Sequence, residues 1–264
     1  GEPRQVRGSL IGVINTSEFG VATLNVSMLD DLRSGTTAVR TSVSGIPRDV
    51  GPLMRVLVVL IAPVYWSFAH TSGDVPSGIL LTRGTFRHES QVEFGTAGDL
   101  LRITHVAQGA DATGPLLLNS VVSGSVPKSI GEATLLLQDF SERYVQTGAG
   151  QFTGGSVQSF LQDGLLARAH CNHTIEYEPT PGLQPPRVQH IQARDVRASF
   201  DPASEELHFQ LSTSLAAGNE GDENGDKGAG IPHRDECRMA SQCQHECRNS
   251  EGSYRCVCPP GYQL

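Results

Sequence analysis

Residues 53–61, Leu-Met-Arg-Val-Leu-Val-Val-Leu-Ile, form a run with apolar side chains on every side. The run is entered through Pro47-Arg48-Asp49-Val50-Gly51-Pro52 and closed by Pro63. It offers no face to water and belongs inside a fold, as helix or as strand. Its β-branched content favours strand, its Pro-rich entry and its length favour helix, and periodicity alone leaves both open. Carried on to Ala69, the stretch includes Arg55 and Pro63. It falls short of the ~20 clean apolar residues of a membrane span and reads as a buried element. Arg55 is expected inside the fold as a structural residue, because a buried guanidinium needs carboxylate or carbonyl partners.

Around this run, up to residue 216, the chain consists of short apolar runs punctuated by Gly, Pro, Asp and Ser. Strand-like runs are Leu10–Ile14, Phe19–Val26, Ala38–Val43, Ile79–Phe86, Gln91–Phe94 and Leu100–Val106. Further ones are Leu116–Val122, Ala133–Leu137, Ser156–Leu161, Cys171–Tyr177, Val188–Phe200 and Leu207–Ser214. Asp111-Ala112-Thr113-Gly114 and Asp201-Pro202-Ala203-Ser204 read as turns. Many short strands at this spacing predict an all-β barrel or sandwich. From 217 to 232 periodicity stops and Gly and acids dominate, which predicts a flexible linker. Glu220, Asp222, Glu223 and Asp226 against Lys227 put −3 of the net charge of −8 there. The acidic balance argues against broad nucleic-acid binding. A local Arg patch stays open, because Lys128 and Lys227 are the only lysines among 20 basic residues. The first ten residues carry no charged-then-apolar leader.

Cys171 stands alone, whereas Cys237, Cys243, Cys247, Cys256 and Cys258 crowd together as C-x5-C-x3-C-x8-C-x-C, followed by Pro-Pro-Gly-Tyr. With Asn249, Gly252, Ser253 and Tyr254, this spacing resembles an epidermal-growth-factor-like module over 233–264, with a sixth Cys expected beyond Leu264. The resemblance implies the pairs Cys237–Cys247 and Cys243–Cys256 and an unpartnered Cys258, while the isolated position of Cys171 makes it a lone thiol. A zinc site is the competing reading, disfavoured because no paired C-x2-C framework is present. Disulfides imply an oxidising, extracellular compartment. The sequons at Asn15, Asn25 and Asn172 fit that compartment as N-glycosylation sites. Calcium-binding modules of this kind carry acidic ligands before the first Cys. Asp235, Glu236 and Asn249 match, but His233 replaces the first acid, so a weakened calcium site is expected.

The apolar run closing in Ala62-Pro63-Val64-Tyr65-Trp66 resembles the central helix of the nidogen β-barrel domain. Gly78-Ile79-Leu80-Leu81-Thr82, Gly84-Thr85-Phe86, Gln91-Val92-Glu93-Phe94 and Ser123-Gly124-Ser125-Val126-Pro127 follow in the order seen in nidogens and, more closely, hemicentins (fibulin-6-like proteins). Tyr144-Val145-Gln146-Thr147-Gly148-Ala149-Gly150-Gln151 and Asn172-His173-Thr174 strengthen the hemicentin likeness. The resemblance spans residues 8–216. It implies an eleven-stranded closed β-barrel around a central helix, the green-fluorescent-protein architecture, in residues 1–216. Chromophore chemistry is not expected, since Tyr65 is followed by Trp66 rather than Gly.

The resemblance further implies a secreted matrix interaction module of the basement membrane, with perlecan, nidogen, collagen IV or laminin as candidate partners. Asp111, His88 and His208 are the expected binding residues on one outward face. An architectural spacer is the alternative, and neither membrane insertion nor nucleic-acid binding is expected. No catalytic residue is expected. His170 and His173, three apart on a strand, face opposite sides and cannot share a metal. Gly148-Ala149-Gly150-Gln151-Phe152-Thr153-Gly154 lacks the βαβ setting of a dinucleotide loop and reads as an ordinary loop.

Overall fold

The computed structural model describes residues 4–70, 75–95, 98–109, 114–218, 246–250 and 253–257. The chain divides into two compact units, 1–220 and 221–264.

In the first unit twelve strands form one sheet: β1 (Arg4–Ile14), β2 (Ser17–Asp31), β3 (Thr36–Ser44), β4 (Thr85–Phe94), β5 (Leu100–Gln108), β6 (Leu116–Gly124), β7 (Leu135–Leu137), β8 (Phe140–Gly148), β9 (Gln151–Gln162), β10 (Leu165–Glu176), β11 (Val188–Asp201) and β12 (Glu206–Gly218). Eleven of them close a barrel in the order β10-β4-β5-β6-β1-β2-β3-β12-β11-β8-β9, with β9 returning to β10. The short β7 pairs with the far end of β9, which β8 does not reach. The pairing is antiparallel except for β1 beside β6, which run parallel. Closure leaves no long exposed edge to template aggregation.

Alternation explains the strands. Leu116, Leu118, Ser120 and Val122 of β6 point inward, and Leu117, Asn119, Val121 and Ser123 outward. A bulge between Leu10 and Gly12 against β2 lets both strands bend around the wall. Asp201 closes its predicted turn by accepting bonds from Ala203 N and Ser204 Oγ at 3.0 and 2.9 Å.

The apolar run lies inside the barrel, as neither one strand nor one long helix. It is broken into α1 (Gly51–Met54), a 3-10 turn over Val58–Ile61, and α2 (Ala62–Phe68). Pro52 and Pro63 sit in the first turns of α1 and α2, where a missing N–H costs nothing. Pro63 therefore begins a helix where the sequence suggested an end. Arg55 donates to the Pro52, Ile130 and Ala133 carbonyls at 2.8, 2.8 and 2.9 Å, tying this segment to the turn before β7.

Ile79–Phe86, read as one strand, is two elements. Helix α3 (Gly78–Thr82) ends in left-handed Arg83 and Gly84, and β4 starts at Thr85. The helix packs so closely that a Cβ on Gly78 would meet the Trp66 ring at 2.8 Å. In the second unit, β13 (Glu246–Ser250) and β14 (Ser253–Val257) form an antiparallel hairpin.

Candidate functional site

Among the described residues one polar region lies inside the barrel and another on its outer wall. The inner one gathers on Glu142, an inward residue of β8 that is 1% exposed. Tyr65 Oη of α2 donates to its Oε1 at 2.6 Å, and Tyr144 Oη to its Oε2 at 2.8 Å. His173 Nε2, from β10, lies 3.5 Å from Oε1, and His173 Nδ1 meets Ser90 Oγ at 2.7 Å. Burial pushes the Glu142 carboxyl up, but its electrostatic interaction with the His173 ring and the bonds from His173, Tyr65 and Tyr144 outweigh it, holding the group below its ordinary range. Gly154 makes room for this arrangement, since a Cβ there would meet the Tyr144 ring at 2.8 Å.

His88 and His105 extend the cluster, with ring centroids 5.8 Å apart, and His88 is 5.4 Å from the His173 ring. Burial first, and the neighbouring imidazoles second, push His88 far down and His105 down to about 3, so both are neutral. His105 Nδ1 pairs with Ser120 Oγ, while His88 Nδ1 and His105 Nε2 meet no partner. Trp66 Nε1 donates to Gln189 Oε1 at 3.0 Å, and the Trp66 ring meets Phe86 and Phe152 edge-on.

Ser90, His173 and Glu142 repeat the hydroxyl–imidazole–carboxylate order of a nucleophilic triad. All three are 2% exposed or less, so no substrate reaches them. The cluster is a structural core: Glu142, Tyr65, Tyr144, His173 and Ser90 satisfy one another inside the barrel. Among the described residues no group of three His, Cys, Asp or Glu is arranged to hold a metal ion. Cys171 is a buried free thiol, pushed up to about 12 by burial and then by Glu142, and is inert as a nucleophile.

The outer region runs across five strands. Register places Gln5, Ser27, Arg40, Gln210 and Arg197 in one row and Arg7, Asn25, Ser42, His208 and Ser199 in the next. Neither row contains an acid. Between them lies a groove of about 330 Å³ lined by Arg7, Asn25, Arg40, Ser42 and His208. Glu206 flanks the groove, 3.3 Å from His208 Nε2.

His208 is therefore outward, as expected. His88 is not: it is 0% exposed inside the barrel and cannot share a face with His208. The reason is strand parity. In β4 it falls in register with inward Phe86 and Ser90, and one position decides the side. Asp111 lies outside the described residues, in the connection from β5 to β6; β6 begins at Leu116, the register partner of Val6. His170 is outward and His173 inward, as the alternation predicted. The glycine-rich Gly148–Gly154 stretch is the β8–β9 hairpin turn and the start of β9.

Of the sequons, Asn25 and Asn172 are exposed on the wall. Asn15 is not free: its amide donates to Val126 O at 2.8 Å and accepts from Val126 N at 2.9 Å. Asp235, Glu236, Cys237, Cys243 and Cys258 lie outside the described residues. Cys247 pairs with Cys256 in backbone register, and Asn249 with Tyr254.

Sequence pattern missed the inner cluster because β8 was not read as a strand. The signal was present: Phe140, Glu142 and Tyr144 alternate, but a carboxylate in the middle hides an inward face.

Residues 1–184 match the G2-F domain family, and residues 234–264 match the calcium-binding EGF domain. The chain is 48% identical over 263 residues to hemicentin-2 of Mus musculus, covering 97% of this chain and 5% of that protein. It is 36% identical over 262 residues to hemicentin-1 of Homo sapiens, again covering 97% and 5%. The chain thus spans about one-twentieth of the length of these hemicentins. In fold it is similar to domain G2 of mouse nidogen-1, with a TM-score of 0.71 and 22% identity, covering 82% of this chain and 89% of that one. The photosensitizing fluorescent protein Supernova shares the barrel, with a TM-score of 0.65 and 9% identity over 82% and 94% of the two chains.

Proposed function

The chain belongs to the G2-F domain family, on its hemicentin and nidogen side, and from that premise we propose that its barrel is a matrix interaction module binding basement-membrane proteins through the outer wall around His208. The setting is extracellular, and the protein is not an enzyme. The observation that carries the binding reading is the pair of acid-free rows across β1, β2, β3, β12 and β11, with a groove between them. A wall bearing Arg7, Arg40 and Arg197 on a chain of net charge −8 is a local field of the opposite sign. Such a patch selects an acidic partner face and steers its approach. Arg40 and Arg7 are exposed and supply forked donors suited to carboxylates. Asp111 belongs to this proposal through family resemblance, and perlecan, nidogen, collagen IV and laminin are the partners to try.

The growth-factor-like module adds a calcium proposal. Its family match begins at residue 234, leaving His233 outside. Asp235, Glu236 and Asn249 are oxygen donors of the kind a hard cation takes, and they would hold calcium near the module's entry.

Surface plasmon resonance of the immobilised chain against perlecan, nidogen, collagen IV and laminin fragments tests the binding reading. Saturable binding weakened about tenfold or more by His208→Ala or Asp111→Ala is expected. The absence of saturable binding to any of the four partners would favour the architectural spacer.

A further inference from the structure

Three sequons stand in three different settings. The amide of Asn15 is held at both ends by the Val126 backbone. Asn172, on β10, is exposed between Gln91 of β4 and Gly155 of β9. Asn25 of β2 is exposed, stands between Arg7 and Ser42 in register, and lines the groove beside Arg40 and His208. Around the closed barrel, β10 and β2 are five strands apart one way and six the other, so Asn172 marks the opposite wall. The Asn25 amide bonds to no other group among the described residues, so its Nδ2 is available to a sugar without loss to the fold.

We propose that Asn25 is an N-glycosylation site whose glycan lies over the Arg7–Arg40–His208 groove, so that its occupancy switches this wall between a covered and an open form. The inference rests on the partner-binding reading above and names a regulation of the same surface. The modification takes place on the extended chain during secretion, where later burial in a strand is no obstacle. Asn25 Nδ2 bonds to C1 of the first N-acetylglucosamine of a lipid-pyrophosphate-linked oligosaccharide. The C1–phosphate bond breaks, the lipid pyrophosphate leaves, and the amide gives up one proton. After folding, the linkage projects from β2, the second of the five strands, at the groove between the two rows. The groove, about 330 Å³, is at the small end of ligand-sized clefts. The sugar's acetamide and hydroxyls find donors in Arg7 and Arg40 and hydroxyl partners in Ser27 and Ser42. A protein partner needs about 800 Å² of this wall, which a branched glycan rooted in its groove denies sterically. The triplet ends in Ser27 rather than Thr, the less efficient acceptor, which provides for two populations of the secreted chain.

The test uses the full chain secreted from mammalian cells, compared with Ser27→Ala, which abolishes the sequon but keeps Asn25, and with Asn172→Gln. Glycopeptide mass spectrometry is expected to find a glycan on Asn25. Phenylglyoxal labelling of Arg7 and Arg40 is expected to be several-fold slower in the glycosylated fraction than in Ser27→Ala, with Arg102 of β5 labelled equally in both. Perlecan or nidogen fragments are expected to bind Ser27→Ala at least tenfold more tightly than the glycosylated chain, while Asn172→Gln binds like wild type. A bare Asn25 in the secreted chain, or equal labelling of Arg7 and Arg40, overturns the proposal whatever the partner data show. If labelling differs but Ser27→Ala binds none of the partners, the binding reading fails and the switch fails with it, while the covered groove stands.

Discussion

Inside the barrel the polar side chains of α2, β4, β8 and β10 converge on one carboxylate, Glu142; on the outer wall those of β1, β2, β3, β12 and β11 spread in two rows without an acid. The residue types are similar on both sides: His, Ser and Gln appear in each. What differs is desolvation. Inside, Glu142, the two tyrosines and His173 draw their partners from the fold, and that network ties α2, β8 and β10 together. Outside, water satisfies the same groups, so they can exchange it for a partner. His88 and His208 show the contrast directly, one neutral and sealed, the other exposed beside Glu206.

The largest effect that could break this contrast is at Glu142. Glu142→Ala strands two phenols and an imidazole in the core and should cost about 3–5 kcal/mol of stability in denaturant unfolding. Glu142→Gln keeps one carbonyl oxygen as an acceptor for the tyrosines and should cost less. If neither variant shifts the unfolding midpoint, the inner network does not hold the barrel.

Next is acid. His88 and His105 are pushed down in the folded barrel, so their contribution is complete above the unfolded value of about 6.5 and is lost as pH falls below it. Each removes up to about 1.4 kcal/mol per pH unit in that window. Glu142 is also held down, and its contribution is lost at still lower pH, below the ordinary carboxylate range. Unfolding at pH 7, 6 and 5 should therefore show a steep decline. A His88→Phe, His105→Phe double variant should flatten it, and an unchanged slope would contradict the assignment of both imidazoles as neutral.

The smallest effect belongs to the outer wall. His208→Ala and Arg40→Ala should change stability by no more than about 0.5 kcal/mol, because neither side chain is part of the core. A larger loss would mean that the rows are structural and blur the contrast.

The closed barrel was legible from family resemblance and from alternation wherever the inward residues are apolar, as in β6. It was illegible where they are not: β8 escaped notice because Glu142 sits between Phe140 and Tyr144. The apolar run gave burial but not its form, since two prolines start helices rather than end them. Of the site residues, His208 was readable as outward, whereas His88 was misread because its strand's parity depends on where α3 ends and β4 begins. The five-strand rows were beyond any local pattern, because they join residues from opposite ends of the barrel's sequence, as Gln5 of β1 and Gln210 of β12.

Charge reversal on the wall tests the binding account most directly. Arg40→Glu and, as a control away from the rows, Arg102→Glu should both fold with wild-type unfolding curves. Titrated against a partner fragment that binds the wild-type chain, Arg40→Glu should weaken binding at least tenfold, more so at low salt, and Arg102→Glu should leave it unchanged. Equal affinities for wild type and Arg40→Glu would contradict the account.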